Sequence, residues 1–256
     1  MIHPTAIIDK SASIEDGVSI GPYSIIGADV KIAAGTNIGP HVVINGPTTV
    51  GKNNRIFQFA SIGEVPQDKK YAGESTRLEI GDNNVIREYC TISRGTIQDQ
   101  GVTRIGDHNW IMAYVHIAHD CQIGNHTIFA NAATLAGHVT IEDYVILGGF
   151  TLVHQFCKVG LHCFTGMNSV ISQDVPPYLM IAGHMAKPYG INVEGLKRRG
   201  FTGETLSGLK KAYKIIYRSG NSLERAIAEL TELGKQHQDV NYLVDFIKNS
   251  TRGILR

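Results

Sequence analysis

Residues 115–155 read VHIAHDCQIGNHTIFANAATLAGHVTIEDYVILGGFTLVHQ, and the spacing inside this stretch decides the fold. A large apolar residue falls at every sixth position: Ile117, Ile123, Phe129, Leu135, Ile141, Leu147 and Val153. His116, His119, His138 and His154 sit between those positions and never on them. A period of six fits neither the 3.6 of a helix nor the alternation of a half-buried strand. It fits the hexapeptide β-helix, in which each hexad is one short strand and a turn. Three hexads close an 18-residue triangular coil, and each inward residue stacks on its counterpart one coil away. The repeat therefore builds a rigid wall, with the histidines mounted on its outside.

The same count runs back to the start of the chain through Ile2, Ile8, Ile14, Ile20, Ile26, Ile32, Ile38, Ile44, Val50, Ile56 and Ile62. It returns at Ile80, Ile86 and Ile92, slips by one residue, and resumes from Ile105 to Ile171 with Thr165 as the one polar member. A Gly often follows the inward residue, as at Gly21, Gly27, Gly39 and Gly51, which suits a corner where backbones crowd or φ is positive. At the ordinary strand spacing, roughly ten coils give a prism about 45–50 Å long. Two polar stretches interrupt the count, GEVPQDKKYAGESTRLE at 63–79 and SRGTIQDQGVTR at 93–104, and both read as loops leaving the prism. Loops on a rigid scaffold carry binding residues, a role that suits the first of them best.

The repeat ends near Asp174–Tyr178. Apolar residues then recur at helical spacing over 203–218, 222–236 and 239–249, with Ser222 placed as an N-cap and Gly220 as a stop. The expected architecture is mainly β: a parallel β-helix over residues 1–185 and a small α-helical domain over 186–256.

Composition narrows the function. With 256 residues, 43% apolar content and a formal charge of +1, the chain has ample core and no global field drawing it to nucleic acid or an anionic membrane. Its four cysteines form no C-x-x-C pair, which points to reduced thiols in a cytoplasmic protein. No run approaches the roughly 18 apolar residues of a transmembrane segment, and the first residues lack a signal-peptide layout.

Residues 18 apart are vertical neighbours in such a coil. His119 thus lies under Gly137 and Gly137 under Gln155, while Asp120 lies under His138; His154 is next to Gln155, and His116 is three residues before His119. Imidazole is suited to taking a proton near neutral pH, and Asp120 is placed to partner His119 if a corner separates them. Gly137 has no side chain, so its N–H can approach a substrate and stabilise an oxyanion. A base beside an oxyanion donor suits acyl transfer to a hydroxyl, and with no Ser or Cys nucleophile paired to His119 the transfer is direct. Cys121 reads as a buried, inert thiol. The competing reading is a catalytic zinc held by His116, His119 and His138, as in hexapeptide-repeat carbonic anhydrases. A non-enzymatic scaffold is a third reading.

Several blocks carry a more specific signal: GEVPQDKKYAGESTRLEIGDNNVIRE, HIAHDC, ATLAGHVTIED, LVHQFC and INVEGLKRRGF. Together they resemble the bacterial UDP-N-acetylglucosamine O-acyltransferases of the lipid A pathway, over essentially the whole chain. Acetyl-CoA-dependent hexapeptide transferases would match the prism but not INVEGLKRRGF. The resemblance implies a left-handed helix, a homotrimer with sites between subunits, and transfer of a 3-hydroxyacyl group from acyl carrier protein to the glucosamine 3-hydroxyl of UDP-N-acetylglucosamine. It implies no cofactor beyond the carrier's phosphopantetheine, and no metal. It casts His119 as general base, Asp120 as its partner and Gly137 as the oxyanion N–H. Gln67, Asp68, Lys70, His116, His138, His154 and Gln155 match positions near the sugar, diphosphate or acyl group. Asn192, Glu194, Arg198 and Arg199 match positions near the nucleotide. Met167 matches an acyl-length ruler that is Gly in some members, which implies a preference here for shorter chains. Counting by 18 does not place Met167 on the His119 column, so a shared cleft would need the neighbouring subunit.

Overall fold

The computed structural model describes residues 1–256. Strands of two to five residues line up in three walls of nine, eight and ten strands. The first wall runs from Ile7–Ile8 to Val170–Ile171, the second from Ser13–Ile14 to Lys158–Val159, and the third from Ser19–Ile20 to Lys187–Ile191. Pairing is parallel except at the last strand of the third wall, and uninterrupted coils pair residues 18 apart, as in Ile7↔Ile25 and His116↔Thr134. The two loops explain the interruptions. Ser61 pairs with Thr91, 30 residues on, and Thr91 with His116, 25 residues on. The first loop therefore inserts 12 residues (30 − 18), a multiple of six that keeps the count. The second inserts 7 (25 − 18), which is the one-residue slip. The prism is a left-handed β-helix.

The sixth-position residues fill its interior. In the first wall Ile44, Ile62, Ile92, Ile117, Leu135, Val153 and Ile171 are all buried. Burying one such side chain stabilises the fold by roughly 1.5–3 kcal/mol, and truncation to Ala in a packed core costs about 2–5 kcal/mol. Thr165 keeps the inward place by satisfying its hydroxyl, which accepts from the Gly148 N–H at 2.9 Å and lies 2.7 Å from Thr151 Oγ1.

Most of the repeated glycines answer to crowding alone, while Gly63 also takes a left-handed φ of 73°. A Cβ on Gly21 would sit 2.7 Å from the Gly39 carbonyl carbon, and one on Gly106 2.5 Å from Asn125 Oδ1. Most left-handed φ values fall instead on the second residue of each corner, such as Asp120 (59°), His138 (62°) and Tyr144 (60°). Many of these are aromatic, and they stack coil upon coil: Tyr23, His41, Phe59, Tyr89 and Tyr114 at 4.9–5.3 Å on one edge, and His126, Tyr144 and His162 at 4.8–4.9 Å on another. Ring stacking offsets part of the backbone cost of these turns.

The boundary expected at 185/186 falls inside a hairpin. Lys187–Ile191 pairs antiparallel with Leu179–Ala182 and extends the third wall. Helices follow: α1 (Val193–Arg198), α2 (Gly203–Tyr217), α3 (Leu223–Gly234) and α4 (Gln238–Lys248). The last three match the helical spacing, and α3 is capped by Ser222, whose hydroxyl accepts the Arg225 N–H. The short α1 has no counterpart in that reading; it is nucleated by Asn192, whose side chain accepts the Gly195 N–H. The tail returns to the prism, where Asp174 accepts the Ser250 hydroxyl at 2.6 Å and its carbonyl accepts the Leu255 N–H at 2.7 Å. No helix is long and apolar enough to cross a membrane.

Candidate active site

The corner between the first and second walls gathers the chemistry. There the strand His116–Ile117 turns through His119–Asp120 into Gln122–Ile123. One coil on, Gly137–His138 makes the same turn, and Gln155–Phe156 makes the next. The first residue of such a turn gives its N–H to no ladder partner, which is why Pro22 and Pro40 fit the equivalent place on another edge. The Gly137 N–H is accordingly left free.

The corner also resolves how neighbours in sequence can meet. Asp120 adopts left-handed φ, which Asp tolerates, and its Oδ2 lies 2.9 Å from His119 Nδ1. The Asp120 side chain is fully buried and that of His119 is 14% exposed. Both carboxylate oxygens accept the Thr96 N–H, at 2.9 and 3.0 Å, and Oδ2 accepts the Thr96 hydroxyl at 2.6 Å. Burial pushes this carboxyl up, but the hydrogen bonds from His119 and Thr96 and the charge of His138 outweigh it and hold it below the usual carboxylate range. An ionised Asp120 accepts a hydrogen bond from the Nδ1–H and leaves the His119 Nε2 lone pair free. That nitrogen lies under Gly137: a Cβ there would stand 2.7 Å from it.

His138 meets His119 edge to face at 5.0 Å, stacks on Phe156 at 4.3 Å, and has its Nδ1 3.0 Å from Asp99 Oδ2. His116 Nδ1 lies 2.7 Å from Thr91 Oγ1; burial, and then the His119 charge, push its pKa down. These residues line a cleft of about 720 Å³, closed by both loops: Gln67, Asp68 and Lys70 come from the first, Ser93, Gln98 and Asp99 from the second, and Gln155 from the prism. His154 stands just outside, in an apolar groove of about 580 Å³ that shares His116 and runs past Ala136, Leu152, Val170 and Met185. A cavity of about 740 Å³ on the second wall, beside Glu142 and Tyr242, holds no histidine or cysteine.

The chain does not bring every expected residue together. Arg199 lies over the Tyr144 ring at 4.5 Å, on the edge between the second and third walls. Asn192 caps α1 and donates to the His162 carbonyl at 3.0 Å. Glu194 pairs with Lys197 at 3.1 Å, and Arg198 closes α1. Met167 stands on the remaining edge, between the third and first walls, 80% exposed. Thr96 and Asp99 are additions: the interrupted count marks their loop, but no periodicity says which loop residues turn inward. Cys121 is buried, its thiol pushed up to about 12 by burial, as an inert core residue should be.

The zinc grouping of His116, His119 and His138 is not the one that forms. His119, Asp120 and His138 are the residues with ligand atoms within 4.8 Å of one another. Within this trio His119 Nδ1 and the Asp120 oxygens are committed to each other and to Thr96, and His138 Nδ1 to Asp99, while the two Nε2 atoms stay uncommitted.

The repeat and the site define a hexapeptide-repeat transferase, and residues 11–46 and 103–137 match the bacterial transferase hexapeptide model. Residues 174–255 match the model of UDP N-acetylglucosamine O-acyltransferase, domain 2. The acyl-[acyl-carrier-protein]–UDP-N-acetylglucosamine O-acyltransferase of Thiobacillus denitrificans is 62% identical over 100% of this chain and 99% of its own length. Among solved structures, the UDP-N-acetylglucosamine acyltransferase of Francisella novicida superposes with a TM-score of 0.98 at 47% identity, covering 100% of this chain and 94% of that one. The O-acyltransferase of Moraxella catarrhalis gives 0.97 at 50%, covering 100% and 99%. The chain belongs to the UDP-N-acetylglucosamine O-acyltransferase family.

Proposed function

We propose that this protein transfers a 3-hydroxyacyl group from acyl carrier protein to the glucosamine 3-hydroxyl of UDP-N-acetylglucosamine, the first step of lipid A synthesis, in the cytoplasm. The observation that carries the mechanism is the His119 ring, tied to Asp120 at Nδ1 and lying under Gly137, whose N–H is free. His119 Nε2 takes the proton of the 3-hydroxyl as that oxygen attacks the thioester carbonyl. The Gly137 N–H stabilises the resulting oxyanion. Collapse expels the phosphopantetheine sulfur, which takes the proton back from His119. The step is direct and calls for no resident cofactor or metal.

The outer faces of the prism favour a trimer. The second wall is polar outside, with Glu79, Arg104, Gln122, Thr140 and Lys158. The first and third expose Leu152, Trp110 and Met180, and the edge joining them carries Phe150 and Met167. Such a pair of faces is satisfied when the first wall of each subunit packs on the third wall of the next, around a threefold axis near Phe150 and Met167. The same arrangement sets the Asn192–Glu194–Arg198–Arg199 edge of one subunit against the His119 corner of its neighbour, where the guanidinium groups suit a diphosphate. Gln67, Asp68, Lys70, His138 and Gln155 then surround the sugar end. His116 and His154 flank the start of the apolar groove, which suits the acyl chain. Met167, at the far edge of that wall, limits chain length, and each excluded methylene forgoes about 0.8 kcal/mol of burial. The basic clusters Lys197–Arg199 and Lys210–Lys211 suit an acidic carrier protein.

Incubating the purified protein with UDP-N-acetylglucosamine and a ladder of 3-hydroxyacyl carrier proteins tests this reading. Product is expected with the shorter chains; no product at any length would overturn it.

A further inference from the structure

The second loop contributes a group that neither the six-residue count nor the proton-transfer step requires. Thr96 is buried to within 1% of its surface and spends both of its donors on one carboxylate. Its hydroxyl reaches Asp120 Oδ2 at 2.6 Å, the oxygen that also lies 2.9 Å from His119 Nδ1. Its N–H bridges both Asp120 oxygens. The same loop holds the Asp120 backbone, since Thr103 Oγ1 accepts the Asp120 N–H at 2.8 Å. Asp120 is thus gripped at both ends by residues 96 and 103, within the segment whose seven extra residues shift the frame.

We infer that Thr96 is a positioning residue for the transfer reaction, the outer member of a Thr96–Asp120–His119 hydrogen-bond chain that fixes the orientation and basicity of the His119 ring. The inference rests on the base role of His119. Two physical effects follow. The hydroxyl competes with His119 for charge on Oδ2, so Asp120 attracts the imidazolium proton less strongly than it otherwise would. It also locks the carboxylate plane, and with it the ring that faces Gly137. The second loop, which looks like a tolerated insertion, is on this account a brace for the base.

Thr96→Val keeps the shape and the backbone N–H and removes only the hydroxyl; Thr96→Ser restores a hydroxyl. With the carboxylate still held by the N–H of residue 96, loss of the hydroxyl makes Asp120 the stronger acceptor for the His119 Nδ1–H and favours the imidazolium. The acid limb of the kcat/KM profile of Thr96→Val is therefore expected to move to higher pH. Its kcat should fall on the order of tenfold, as befits a lost hydrogen bond to a charged group, with KM for both substrates little changed. Thr96→Ser should restore both kcat and the limb. If the Val variant does not fold, Thr96→Ala against Thr96→Ser gives the same comparison. His119→Ala is run alongside. If it is inactive while the Val variant keeps the wild-type rate and acid limb, this inference falls and the base role stands. If His119→Ala is itself active, both fall. A rate loss in the Val variant with an unmoved acid limb and no rescue by Ser assigns Thr96 a merely structural part and also overturns the inference.

Discussion

The Cβ that Gly137 lacks would stand 2.5 Å from Cε1 and 2.7 Å from Nε2 of the His119 ring. Contacts that close are not tolerated, yet the obstructing atoms end a side chain, so the ring and not the backbone must yield. Gly137→Ala is therefore expected to fold, with a melting temperature within a few degrees of wild type. Its turnover should fall by at least about a hundredfold, because the ring leaves both Asp120 and the amide above it. Circular dichroism melts paired with a turnover assay check both halves.

The apolar outer faces supply the second prediction. Trp110 on the third wall and Leu152 on the first are 42% and 44% exposed. If the proposed trimer forms through these walls, placing a carboxylate at either, as in Trp110→Glu or Leu152→Glu, should shift sedimentation from trimer towards monomer and lower turnover with it, since the Arg199 edge would no longer meet the His119 corner. A variant that stays trimeric would mean that these walls face solvent.

Met167 gives the third. Met167→Gly removes the bulk at the edge where the groove is expected to end. Competition between carrier proteins bearing shorter and longer 3-hydroxyacyl chains should then shift towards the longer. An unchanged preference would leave Met167 without a part in length selection.

His162 gives a pH dependence with a definite sign. It is 7% exposed, stacked on Tyr144, and its pKa is lowered to about 4 by burial first and by the charge of Arg199 second, against a smaller opposing effect of Asp143. Between the unfolded value near 6.5 and about 4, the unfolded chain takes a proton that the folded chain refuses. Stability should accordingly be insensitive to this group above about pH 6.5 and fall as pH drops towards 4, by up to roughly 3 kcal/mol. Thermal melts of wild type and His162→Gln over that range should diverge in their pH slopes, the variant being flatter.

How far the chain could be read follows from where its regularity ends. Ile117, Leu135 and Val153 announce the prism because each repeats a demand for burial every six residues, and the 18-residue coil then places His119 under Gly137 without further information. The same arithmetic separates Met167 from that column, as observed. Thr96 and Asp99 escape it because loop residues obey no period; only the seven-residue insertion signals that something leaves the wall there. The glycines divide between the two reasons for them: Gly21 and Gly106 answer to backbone and Asn125 crowding and Gly63 also takes left-handed φ, while most left-handed corners go to residues such as Asp120 and His138, whose stacked or hydrogen-bonded side chains compensate. The helix α1 is short and set by one Asn192 cap, too little for a periodicity to register.

The rate of acyl transfer by His119→Ala, measured with UDP-N-acetylglucosamine and a 3-hydroxyacyl carrier protein, tests the central claim most directly. A base held by Asp120 beneath the Gly137 amide predicts a loss of at least about a hundredfold in kcat, with sugar-nucleotide affinity changed only a few-fold. Turnover within about tenfold of wild type would contradict it.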